Sequence, residues 1–257
     1  MAGQQGPHVV SIYRYPIKGM TPEPMARVLL TPGEPLPFDR GWAIENGGGR
    51  FDPEAPKYLP KINFVMLMRD ERLASLEARF DEADKTLTIL RAGKQVARGN
   101  LETKLGRQMI EQFLAAYMKA ELRGAPRIVA APGHSFSDVP ARCIHIINLE
   151  SVRDLARKIG KPVDPLRFRA NVILDGVPAW QELGWTGTTL EIGGVRLDVF
   201  KRTQRCDATN VDPITAARDM AIPANLMRHW GHSDFGVYAM VKRGGEIACG
   251  QDVTQAA

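Results

Sequence analysis

Cysteine is scarce in this chain and odd in number. Cys143, Cys206 and Cys249 are the only three in 257 residues, and no two form a Cys-x-x-Cys pair. A structural zinc site needs about four close ligands, and a disulfide framework needs a denser, paired set. Both are excluded. Long apolar runs are missing too. A stretch such as Ile62–Met68 already contains Asn63, far short of the ~18–20 residues that cross a bilayer. The N-terminus has neither a basic segment nor an apolar run of signal-peptide length. No run of five basic residues occurs, although Lys and Arg outnumber Asp and Glu by 34 to 29. That scatter disfavours nucleic acid, which calls for a dense stripe. It suits a small anionic ligand or a solvated surface. There is no Gly-x-Gly-x-x-Gly and no Walker sequence, so the usual nucleotide cradles are absent. The expectation is a reduced, cytoplasmic protein without membrane or nucleic-acid partners.

What is present is ordinary globular material, 44% hydrophobic and 25% charged, enough to bury a core without staples. Short apolar stretches separated by Gly and Pro read as strands: Val9–Tyr15, Ala26–Leu30, Trp42–Ile44, Ile62–Met68, the hairpin Leu87–Leu90 with Gln95–Arg98, then Cys143–Ile147, Asn171–Leu174, Thr189–Ile192, Val195–Phe200, Phe235–Val241 and Glu246–Ala248. Helical periodicity predicts a helix over Glu102–Leu122, with Leu105, Met109, Phe113 and Tyr117 recurring at i+4 beside Ile110, Leu114 and Met118. A second helix, Glu150–Ile159, has Asn148 to cap it and Gly160 to end it, and a third runs over Pro223–Trp230. Gly124 and Pro126 mark a boundary between residues 1–124 and 125–257. The fold class expected is mainly β with several helices, barrel-like and strand-rich.

The stretch Lys201–Pro213, KRTQRCDATNVDP, is the most informative. Cys206 stands at a strand-to-loop edge with Lys201, Arg202 and Arg205 within five residues. Nearby cations stabilise a thiolate, which is both a nucleophile and a soft metal ligand. The competing reading is a small buried hydrophobe, and on the residues alone both stand. Cys143, in an apolar strand, and Cys249, near the C-terminus, read as structural. Two further stretches, Tyr15–Met20 (YPIKGM) and Arg167–Asn171 (RFRAN), place cations on loops suited to a phosphate. Arg40 is a third such cation, with an ion pair to Asp39 as its alternative.

YPIKGM, FDRGW, RFRAN, KRTQRCDATNVDP, FGVYA and GGEIACGQDV, in that order from about Val9 to Val253, resemble the MOSC family. That family is named for the C-terminal domain of molybdenum cofactor sulfurases, here preceded by a MOSC-associated β-rich domain. The relatives of similar architecture are amidoxime-reducing components and bacterial N-hydroxylated-base reductases. The resemblance implies a pyridoxal-phosphate-binding-like barrel domain, a bacterial protein and a molybdenum cofactor (molybdopterin) whose metal is ligated by Cys206. It also implies cofactor contacts from Lys18, Gly19, Arg40, Arg169, Asn171, Gln204 and Arg205. The activity implied is two-electron reduction of small N-hydroxylated or N-oxygenated substrates. Three dispersed cysteines cannot hold an intrinsic iron–sulfur cluster, so electrons would come from a separate flavin, haem or ferredoxin-type protein. Two alternatives stay open: a sulfur carrier with a Cys206 persulfide, and a cofactor carrier without turnover. The chain departs from the family pattern at Gly19 (serine), Ala170 (proline), Ala216 (glycine) and Thr203 (often cysteine).

Overall fold

The computed structural model describes residues 6–256. Residues 1–5, part of the N-terminal stretch inspected for a signal peptide, lie outside the described residues.

An eight-stranded sheet dominates. Its strands lie side by side in the order Val253–Gln255, Thr189–Ile192, Val195–Gln204, Asp234–Arg243, Ile144–Asn148, Val172–Asp175, His8–Arg14 and Glu23–Met25. All neighbours are antiparallel except Ile144–Asn148 with Val172–Asp175, which pair in parallel. The parallel pair needs a crossover, and helix Leu149–Ile159 supplies it. Asn148 caps that helix by accepting from the Glu150 N–H, and Gly160 closes it in the left-handed region at φ 75°. Two first-half strands, His8–Arg14 and Glu23–Met25, thus complete a sheet built mostly by the second half. Alternate side chains of this sheet, among them Val9, Ile12, Ile146, Leu197 and Val237, form one continuous core.

A second core lies in the first half. The meander Glu77–Asp81, Thr86–Arg91 and Lys94–Asn100 packs against helix Lys104–Tyr117. The helix is shorter than the periodicity predicts. Past Tyr117, the Asn46 side chain takes over the backbone: it donates to the Glu121 carbonyl and accepts from the Arg123 N–H. The buried face also differs from the i+4 stripe. Ile110, Leu114 and Met118 are buried, while Leu105 and Met109 are exposed. Gly106 explains the rotation. A Cβ there would come within 2.1 Å of the Asn100 carbonyl oxygen, so the helix presses its glycine face onto the Lys94–Asn100 strand.

Ile62–Met68, expected as a buried strand, is not one. A 3₁₀ turn covers Lys61–Asn63, Phe64 makes a single bridge to Glu45, and the chain then turns back. The Asp70 carboxylate accepts from the Met66 N–H and so draws the backbone out of a ladder. A continuous apolar run signals burial without specifying strand geometry. Among the described residues no helix is long and apolar enough to cross a membrane.

Candidate functional site

The Val195–Gln204 strand ends at the Asp234 pairing, and Cys206 follows as the residue before a 3₁₀ turn, Asp207–Asn210. The Cys206 carbonyl accepts from the Thr209 N–H at 3.0 Å and the Thr209 hydroxyl at 2.9 Å, which fixes the turn. Arg167, 3% exposed, locks it from beneath. Its guanidinium donates to Asp212 at 2.8 Å, to Asp219 and to the Asn210 carbonyl at 3.2 Å. The first arginine of RFRAN is therefore the anchor of the cysteine loop, a role the sequence alone did not reveal.

Cys206 is half-buried and opens into a cavity of about 270 Å³. Lys18, Gly19, Arg40, Arg169, Gln204 and Arg205 line the same cavity, so residues as far apart as 18 and 206 converge. Eight lining residues are Lys or Arg, against one carboxylate, Asp138. Of the residues named from the sequence, only Asn171 is set apart. It is 1% exposed and fully engaged inside: its amide donates to the Asp39 carboxylate and the Tyr13 carbonyl, and its oxygen accepts from the His145 N–H. It touches a water-sized side cavity of about 30 Å³ behind the main one.

Each cation is held differently. Arg40 and Arg169 both occupy the left-handed region, at φ 53°, and both guanidiniums lie over the Tyr15 ring, at 4.8 and 4.3 Å. Arg40 is ion-paired to Asp39 and donates to the Arg169 carbonyl at 3.0 Å. Arg169 donates one nitrogen to the Met20 carbonyl at 2.8 Å. Burial, with Arg40 close by, pushes the Arg169 guanidinium down to about 10. Arg205 donates to the Phe168 carbonyl at 2.6 Å and lies 3.3 Å from His145 Nε2. Burial and Arg205 together hold His145 well below the ordinary histidine range, so it is a neutral acceptor there. Lys18 donates to the Phe136 carbonyl at 2.8 Å and pairs with Asp138. Burial lowers its ammonium, while Asp138 works the other way. Burial raises Asp138 in turn, but Lys18 outweighs it and holds this half-exposed carboxyl well below the usual carboxylate range.

Gly19 has φ 87°, and a Cβ there would stand 3.2 Å from the Val65 carbonyl oxygen. Glycine at this position therefore relieves the backbone as well as deleting a hydroxyl. Lys61 was not foreseen. It reaches the cavity from the 3₁₀ turn that replaces the expected strand. Burial opposes its charge, but Cys206 and Asp138 raise its ammonium. Cys143 is buried, and burial pushes its thiol up to about 12, so it does not compete as a thiolate. Cys249 is exposed and is not among the residues that line the cavity.

Four buried polar atoms of residues that line the cavity lack any partner: Arg167 Nε, Arg169 Nη2, Arg205 Nε and the Thr203 hydroxyl. Buried donors are rarely left unpaired, and these all belong to residues that line the cavity. No three of His, Cys, Asp or Glu cluster as a metal site among the described residues. A metal at Cys206 would take its other ligands from a bound group.

The family model for the MOSC domain matches residues 133–254, and that for the MOSC N-terminal beta barrel domain matches residues 6–125. The chain belongs to the MOSC family. Human molybdenum cofactor sulfurase is 24% identical over 276 aligned positions, covering 93% of this chain and 31% of that protein. Mitochondrial amidoxime reducing component 2 of Rattus norvegicus is 30% identical over 122 positions, covering 43% of this chain and 36% of the relative. This MOSC chain thus spans about a third of the length of these curated relatives. The solved structure of the YUAD protein from Bacillus subtilis aligns over 96% of this chain and 93% of its own, at 12% identity and a TM-score of 0.45.

Proposed function

We propose that the cavity binds a molybdenum cofactor, with Cys206 as the protein's ligand to the metal, and that the protein reduces N-hydroxylated compounds. The observation that carries this reading is one accessible thiol opening into a cation-lined cavity whose wall holds buried, unpartnered N–H donors. A pterin phosphate has the charge for Lys18, Arg40 and Arg169, and a pterin ring has acceptors for Arg205. Thr203 can donate from the same wall. The thiolate of Cys206 is a soft donor suited to a heavy metal. Lys61 keeps an ammonium beside it, offsetting its charge.

When bound, the cofactor supplies the two-electron couple. The balance is R–NHOH + 2 H⁺ + 2 e⁻ → R–NH₂ + H₂O, with electrons delivered by a separate flavin, haem or ferredoxin-type protein. The chain's own part is to bind, to orient and to hold protons. Arg40 and Arg169, stacked on buried Tyr15, are preorganised and need no reorientation to receive an anion. Arg167 holds the cysteine loop in register, and Lys61 keeps its ammonium at the cavity wall. Three unpaired thiols suit a reducing compartment such as the cytoplasm.

Sulfur transfer is the second reading, favoured by the match of the human sulfurase over nearly the whole chain. One preparation separates them. Protein from a molybdenum-replete host should contain about one molybdenum and one pterin per chain and turn over an N-hydroxylated substrate. Labile sulfane sulfur on Cys206 without metal would establish the sulfur-carrier reading instead. Full cofactor loading without turnover would leave a carrier.

A further inference from the structure

Beside the cationic cavity lies a second lobe of about 260 Å³. The two share Gly19, Leu67, Arg167, Arg169 and Ala208 as walls, but the rest of their linings differ in chemistry. Met20, Leu67, Leu166, Val211 and Ile214 make the second lobe apolar. Of the charges at its edge, two are already committed: Arg167 to Asp212 and Asp219, and Asp164 to the Leu166 N–H. Ile214, at 79%, is the most exposed large hydrophobic residue described. Its loop is nonetheless fixed. The Asp212 carboxylate accepts from the Ile214 and Thr215 N–H groups at 2.9 and 2.7 Å, and the Ala216 N–H returns to the Asp212 carbonyl at 3.0 Å. An isoleucine is therefore held in water at the rim of an apolar hollow, where a covering ligand would desolvate it. The hollow begins at Ala208, two residues past Cys206 on the same 3₁₀ turn.

We propose that this lobe receives the uncharged, apolar body of the substrate while the N–OH group enters the cationic lobe. The substrate class is then N-hydroxy compounds with a neutral aryl or alkyl body. An anionic body would compete with the cofactor for the same cations, and a cationic one would be repelled by them. This inference rests on the reductase reading above.

The test uses cofactor-loaded wild type, Ile214→Asp and Ile214→Leu, with benzamidoxime and hydroxylamine as substrates and calorimetric binding of benzamidoxime as a second readout. Ile214→Asp should lower the ratio of kcat/KM for benzamidoxime over hydroxylamine about tenfold, the size expected when most of an isoleucine's desolvation is lost. Benzamidoxime binding should weaken by a similar factor. Ile214→Leu should keep both within about twofold. An unchanged ratio overturns the proposal. So does an equal loss for both substrates with reduced pterin content, which would mean that the lobe serves the cofactor. If loaded protein reduces neither substrate, the reductase reading fails, and calorimetry alone judges the lobe. Sensitivity of benzamidoxime binding to Ile214→Asp would then uphold it, and absent or insensitive binding would refute it.

Discussion

Replacing Arg169 with alanine separates cofactor binding from fold. Arg169 makes one internal hydrogen bond, to the Met20 carbonyl, and one cation–π contact, to Tyr15, and it leaves Nη2 unpartnered in the cavity wall. Losing the first two costs about 1–2 kcal/mol. Two effects offset that loss. The guanidinium is already disfavoured by burial and by Arg40, and alanine at φ 53° adds no strain that arginine did not already carry. The apo protein should therefore stay within about 1 kcal/mol of wild type, a shift of roughly 2–4 °C in Tm for a chain of this size. Anion binding has no such compensation. One charge-assisted hydrogen bond contributes about 1.5–3 kcal/mol, or roughly 10- to 150-fold in affinity. The assay is pterin content after gel filtration, alongside thermal unfolding of the apo form. Pterin retained at the wild-type level would refute the assignment of Arg169. Pterin lost together with a Tm drop above about 10 °C would show a structural role instead.

Two other substitutions probe the scaffold. Arg167→Ala removes the buried anchor of the cysteine loop and leaves Asp212 and Asp219 facing each other; urea unfolding should show a loss of about 2–4 kcal/mol, and an unchanged midpoint would contradict the anchoring role. Asp138→Asn tests the Lys18 pair through pH. The folded carboxyl titrates below its unfolded value, so its stabilisation is complete above about pH 4 and disappears as pH falls through the lower folded value. Half-exposed, the pair contributes at most about 1 kcal/mol. Wild type should exceed the variant in stability at pH 7, with the gap closing toward pH 2–3, whereas a gap that does not vary with pH would contradict the pairing.

The local elements were the most legible. The Asn148 cap, the Gly160 stop and the hairpin around Ala92–Gly93 are set by residues a few positions apart, and they stand where the pattern put them. Ile62–Met68 was not legible, because its shape depends on Asp70 capturing the Met66 N–H and on the bridge from Phe64 to Glu45. The docking face of helix Lys104–Tyr117 depends on a backbone contact at Gly106 that apolar spacing does not report. At the site, loop cations flanking Cys206 marked the cavity. The anchoring role of Arg167 and the presence of Lys61 were not legible, for different reasons. Arg167 differs from Arg169 only in where the fold aims it, and Lys61 opens the 3₁₀ turn that stands where apolar spacing predicts a strand from Ile62.

Cys206→Ser tests the central claim most directly. Serine keeps the size of the side chain and the turn at Asp207–Asn210, since that turn uses the Cys206 carbonyl and not its sulfur. It replaces a soft thiolate by a hard, protonated hydroxyl. The measurement is molybdenum content and reduction of an N-hydroxylated substrate by the variant made in a molybdenum-replete host, beside Cys143→Ser and Cys249→Ser. The account predicts a folded Cys206→Ser protein with little molybdenum and no reduction, and near-normal activity in the other two. Molybdenum-dependent reduction retained by Cys206→Ser would contradict it.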